Sequence, residues 1–98
     1  MNIIKETEDN TLCIALEGRL DTMTAPELEE ELKASMDSAD KLVLDFTALD
    51  YISSAGLRVL LSAHKTMSMK GGMKVIRVNE VVQEVFDVTG FCDILTIE

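Results

Sequence analysis

Apolar residues recur along this chain in two periods. In "LCIALEG" they alternate, with Leu12, Ile14 and Leu16 on one side and Cys13, Ala15 and Glu17 on the other. That pattern predicts a strand with one strongly apolar face. The preceding "NIIKET", separated from it by the turn-forming "EDN", predicts a short strand and a hairpin, and Gly18 is expected to end the second strand. "KLVLDF" repeats the alternation with Leu42, Leu44 and Phe46 on one face, and "TALDYI" after it reads as a connection. "MKVIRV" predicts a further strand, and "FCDILTIE" closes in a strand-like piece.

Between these segments the period changes to that of a helix. In "DTMTAPELEEELKASM", Ala25, Leu28, Leu32 and Met36 share one face, while Glu27, Glu29, Glu30 and Glu31 are predicted to be solvated. Thr24 followed by Glu27 has the form of a capping box, and Pro26 falls in the first turn, where its missing N–H is not needed. "SSAGLRVLLSAHKTMSMKGG" predicts a second helix with a stripe of Leu57, Leu60, Leu61, His64 and Met67, stopped by Gly71 and Gly72. "NEVVQEVFDVTG" predicts a third, capped by Asn79, stopped by Gly90 and burying Val82, Val85 and Phe86. The order is β-β-α-β-α-β-α-β. It implies an α/β (α+β) fold of one domain over residues 1–98, with a mixed sheet of four or five strands and helices packed mainly on one face.

Composition narrows the function. Asp and Glu outnumber Lys and Arg by 18 to 9, giving a net charge of −9. Nucleic-acid binding depends on neutralising phosphates with basic residues, so direct contact with nucleic acid is not expected. The same charge disfavours an anionic membrane surface. No apolar run approaches the roughly 18 residues of a membrane span, and "MNIIKETEDN" lacks the layout of a signal peptide. A cytoplasmic protein, monomeric or weakly dimeric, is expected. Cys13 and Cys92 stand far apart without a second ligand pair and are expected to be buried, reduced thiols, so no metal or cofactor is predicted.

The stretch "DYISSAGLRVLL" (residues 50–61) places two hydroxyls at the mouth of the second helix. An enzymatic serine is disfavoured. Ile52 stands where a nucleophile elbow wants glycine. The sole histidine, His64, lies ten residues beyond Ser54, about 15 Å away along a helix. Either serine can cap the helix. Gly56 in the first turn costs about 0.8–1 kcal/mol relative to Ala, which makes sense where backbone or a partner approaches closely. A helix N-terminus also stabilises a phosphate dianion.

"YISSAGLRVLL" resembles the signature of the STAS family, the anti-sigma-factor antagonists, and the likeness runs nearly end to end. "GRLDTMTAPELEEEL" is similar to the family's strand-to-first-helix segment with its aspartate, here Asp21. "GGMKVIRVNEVVQEVFDVTGFCDILTIE" is similar to its closing segment. The resemblance implies a non-enzymatic switch. In its unphosphorylated form, such a protein binds an anti-sigma factor that is also a GHKL-type serine kinase, and the sigma factor is released. Phosphorylation weakens the complex, and a PP2C-like phosphatase resets it.

The family's acceptor lies two residues before the motif glycine, which gives Ser54, with Ser53 as the alternative. The chain departs from the family in having Ser53 where many members have aspartate, and Ala55 where they have Ser or Thr. Asp21, Thr24, Asp50, Ser53, Ser54, Gly56, Leu57 and Arg58 are the expected docking residues. The competing expectation is a STAS scaffold or sensing module for a nucleotide, a lipid or a signalling complex.

Overall fold

The computed structural model describes all 98 residues. Strands β1 (Asn2–Glu8) and β2 (Thr11–Leu20) form the hairpin, followed by α1 (Ala25–Ser35), β3 (Lys41–Ile52), α2 (Ser54–Met67), β4 (Met73–Ile76), α3 (Glu80–Thr89) and β5 (Thr96–Ile97). Short 3-10 turns at Met36–Ser38 and Phe91–Asp93 close α1 and α3. The five strands lie in sequence order, β1 antiparallel to β2 and the other pairs parallel. Asp9 and Asn10 both take left-handed backbone at the hairpin tip, the geometry that tight two-residue turns require.

Burial alternates along the parallel strands. Leu12, Ile14 and Leu16 of β2, Leu42, Leu44 and Phe46 of β3, and Met73 and Val75 of β4 are fully buried. Between them Cys13, Ala15, Val43, Asp45, Lys74 and Ile76 are only half-buried. One face therefore carries the core, and a single apolar cluster joins it to Leu28 and Leu32 of α1, Leu60 and Met67 of α2, and Val82 and Phe86 of α3. Parallel crossovers are right-handed as a rule, so three that step the same way across a sheet bring their helices to one face. The other face stays open.

Several expectations are corrected. Gly18 does not end β2; the strand runs through it to Leu20, with Gly18 at φ +104° and register shifts on either side. "TALDYI" is no connection but the second half of β3, paired to β2 as far as Ile52. The α2 stripe is Gly56, Leu57, Val59, Leu60, Ala63 and Met67; Leu61 and His64 lie half-buried at its margin. That helix ends at Met67, before the glycines, where Ser68 N–H already bonds back to His64. Cys13 and Cys92 are free and only half-buried. Val85 too is half-buried, whereas the Asn79 cap and the Gly90 stop of α3 are as expected.

Candidate functional site

The serine-bearing turn is built where β2 and β3 finish side by side. Leu20 pairs with Ile52 in the sheet, and both point into the core. Ser53 N–H donates to the Leu20 carbonyl at 2.9 Å, fastening the start of the turn to the end of β2. Ser53 has extended backbone, and its hydroxyl accepts from Gly56 N–H at 3.5 Å, while its carbonyl accepts from Leu57 N–H at 3.0 Å. Ser53 is thus the N-cap and is half-buried. Ser54, the first helical residue, is exposed. The two hydroxyls that look alike in sequence occupy different positions, one engaged in the fold and one facing solvent.

Gly56 explains why the helix can start there. A Cβ on it would lie 2.7 Å from Leu20 Cγ and 2.8 Å from Ile52 Cγ1, inside any real contact distance. The close approach is to the protein's own core. Gly56 and Leu57 are both buried, so they shape the surface from beneath without presenting a side chain to it.

The neighbouring turn between β2 and α1 is organised by Asp21. Its Oδ1 accepts from Met23 N–H at 3.0 Å and Thr24 N–H at 3.1 Å. Thr24 is not the capping-box residue its spacing suggests. Its backbone is helical and its hydroxyl makes no cap bond. The hydroxyl instead donates to the Arg19 carbonyl at 2.7 Å and accepts from Asp21 N–H at 2.9 Å. Partial burial pushes the Asp21 carboxyl up; the N–H groups of Thr24 and Met23, the Thr24 hydroxyl and the charge of Arg19 outweigh it and hold the group below its ordinary value. Asp21 is therefore a fixed anion at neutral pH.

Two residues overlooked in the sequence complete this edge. The Arg19 guanidinium lies 4.4 Å from the centre of the Tyr51 ring, and its Nε is 3.8 Å from Asp21 Oδ2. Arg19 and Tyr51 are register partners on β2 and β3, a relation visible only once the strands are paired. Asp50, next to Tyr51, is exposed. Between the first turns of α1 and α2 runs an open groove of about 220 Å³, lined by Thr22, Ala25, Pro26, Glu29, Ala55, Arg58 and Val59. Exposed Arg58 and Glu29 both line it. The structure thus gathers Asp21, Thr24, Ser53 and Ser54 at the ends of β2 and β3, with Arg58 in the adjoining groove. His64 lies near the far end of α2 and takes no part.

The STAS domain profile matches residues 2–98. The chain is 37% identical to the proposed anti-sigma factor antagonist BtrV of Bordetella bronchiseptica, covering 99% of this chain and 85% of that protein. It is 28% identical to the anti-sigma-B factor antagonist of Bacillus subtilis, over 99% of this chain and 90% of its relative. Among solved structures, an anti-sigma factor antagonist from Mycobacterium paratuberculosis superposes with a TM-score of 0.89 at 25% identity, covering 98% of this chain and 83% of that one. Unphosphorylated SpoIIAA shares the fold with a TM-score of 0.84 at 17% identity, covering 99% and 88%.

Proposed function

Because the chain belongs to the STAS domain family over nearly its full length, we propose that it is an anti-sigma-factor antagonist, a binding protein switched by phosphorylation on Ser54. The unphosphorylated protein captures an anti-sigma factor with GHKL-type serine kinase activity through the surface around Ser54, Asp21 and Arg58. Transfer of a phosphoryl group to Ser54 ends the complex, and a PP2C-like phosphatase restores it. The names of the curated relatives support the partner class.

The observation that carries the choice of residue is the split between the serines. Ser53 is half-buried, with its Oγ engaged as the N-cap, whereas Ser54 is exposed at the first helical position. A phosphate there adds about −1.5 to −2 charge units beside free N–H groups at the positive end of the helix dipole. The fold tolerates that addition. A partner packed against the same surface does not, because it meets a desolvated dianion beside Asp21. Loss of about 3 kcal/mol weakens a complex more than a hundredfold.

The test is intact mass and peptide mapping after incubation with ATP and each GHKL-type kinase of the same genome, with Ser53→Ala and Ser54→Ala run beside wild type. One phosphate, absent only in Ser54→Ala, is the expected result. A phosphate that survives in Ser54→Ala moves the switch to Ser53. None with any kinase returns both serines to capping and favours a scaffold or ligand sensor.

A further inference from the structure

The outer face of α3 carries an apolar stripe that the rest of the chain leaves largely uncovered, Val85 alone packing partly against the core. Val81 and Val88 are 55% and 80% exposed, and with half-buried Val85 they follow the i, i+4, i+7 spacing of one helical face. With Glu84 and Thr89 they line an open groove of about 300 Å³. Val82 and Phe86 already anchor the helix in the core, so the stripe is surplus to folding. At about 100° per residue, Glu84, Glu80 and Asp87 fall on the flank of the stripe away from the core. The helix has neither Lys nor Arg. Asp87 is bonded to Gln83 at 3.0 Å, whereas Glu80 and Glu84 form no ion pair within the chain.

Charge decides between occupants. A second copy would set an equally acidic flank against this one in a molecule of net charge −9, and like charges in close register oppose association. An anionic lipid surface is repelled for the same reason. A helix with two or three apolar residues at matching spacing and Lys or Arg beside them satisfies both halves of the surface. We propose that α3 docks a cationic amphipathic helix of a partner protein, its apolar side chains on Val81, Val85 and Val88 and its cations on Glu80 and Glu84. The groove shares no residue with the one beside Ser54, so the two surfaces operate independently and this proposal does not rest on the phosphorylation reading.

The test titrates the ¹⁵N-labelled chain with a synthetic amphipathic Leu/Lys helical peptide, and in parallel with its Leu/Glu counterpart, following amide shifts. Shifts confined to residues 80–89 are expected from the Leu/Lys peptide and none from the other. The double variant Val81→Ser/Val88→Ser alters exposed side chains only and keeps the net charge. It should weaken the peptide about tenfold, the factor set by 1.4 kcal/mol, without lowering Tm, and Ser54→Glu should leave affinity unchanged. Shifts scattered over the acidic surface and insensitive to the valine double variant would reduce the effect to general charge attraction and overturn the proposal. So would absence of localised shifts. A concentration-dependent dimer of the chain alone in sedimentation, lost in Val88→Ser, would assign the face to a second copy instead.

Discussion

Where the parallel strands begin, Lys70 Nζ donates to the carbonyls of Met36, Ala39 and Asp37 at 2.7, 3.1 and 3.2 Å. Gly71 N–H donates to the Asp40 carbonyl at 2.7 Å, and Asp40 N–H to that of Asn10 at 2.8 Å. Three turns are thereby bound to one another. Where the strands finish, the turns are held back to the sheet instead: Ser53 to Leu20, Asn79 Nδ2 to the Leu49 carbonyl at 2.7 Å, Thr24 to Arg19. At that end Ser54, Asp50 and Arg58 face solvent. The first end satisfies its carbonyls internally and leaves little to recognise. The second anchors each turn once and keeps its side chains available. If the proposed docking surface is right, stability and recognition are divided between the ends of one sheet, and substitutions at each should read out differently.

The largest expected effect belongs to the recognition end. Phosphorylation of Ser54 should weaken binding to the kinase-type anti-sigma factor more than a hundredfold, about 3 kcal/mol, while Tm stays within a few degrees of the unmodified protein. Calorimetric titration and a thermal melt of the same two samples check it; a melt that collapses on phosphorylation would erase the division. Next comes Gly71→Ala, whose Cβ would lie 2.6 Å from the Asp40 carbonyl oxygen. That atom is backbone and cannot swing aside, so urea denaturation should show a loss of about 3 kcal/mol. Gly56→Ala, whose Cβ would press on the fully buried Leu20 and Ile52 side chains, should cost about 1–3 kcal/mol of stability and, unlike Gly71→Ala, lose binding as well.

Lys70→Met keeps the apolar stem and removes the donors. A loss of about 1–3 kcal/mol is expected, with partner affinity unchanged. A drop in affinity as large as that of phosphorylation would show the two ends to be coupled.

The smallest effect should come from pH. The folded Asp21 carboxyl titrates below its unfolded value, so its contribution is complete above about pH 4 and vanishes as pH falls through the folded value. Asp45 behaves alike: burial raises it, but the Thr47 hydroxyl and N–H and Arg77, at 2.8 Å, prevail. Thermal melts from neutral to strongly acidic pH should therefore fall less steeply for Asp21→Asn than for wild type.

Much of the fold was legible because each strand and helix carries its own period, and the order of elements then dictates the parallel crossovers. What failed was local. The apolar positions of β3 change parity between Phe46 and Leu49, so the alternation breaks, whereas the real strand absorbs the change through irregular pairing with β2 around Glu17 to Arg19. Thr24 and Glu27 have the residue types of a capping box, but the Thr24 hydroxyl is claimed by Arg19 and Asp21. Local chemistry located the serine pair without separating its members, since an N-cap and a first helical residue differ by one step along the chain; only the resemblance to the family singled out Ser54. The contact of Arg19 with Tyr51 and the groove between α1 and α2 join residues far apart in sequence, and no local pattern encodes them.

The seating of Gly56 on Leu20 and Ile52 has a consequence for any enzyme that modifies Ser54. The hydroxyl is carried on the first turn of a helix whose next residues are locked into the core. An active site that threads extended peptides would have to unwind that turn and expose the leucine and isoleucine beneath it. Such an enzyme would have to take the folded domain as its substrate, and a free peptide covering "DYISSAGL" should be a poor imitation of it.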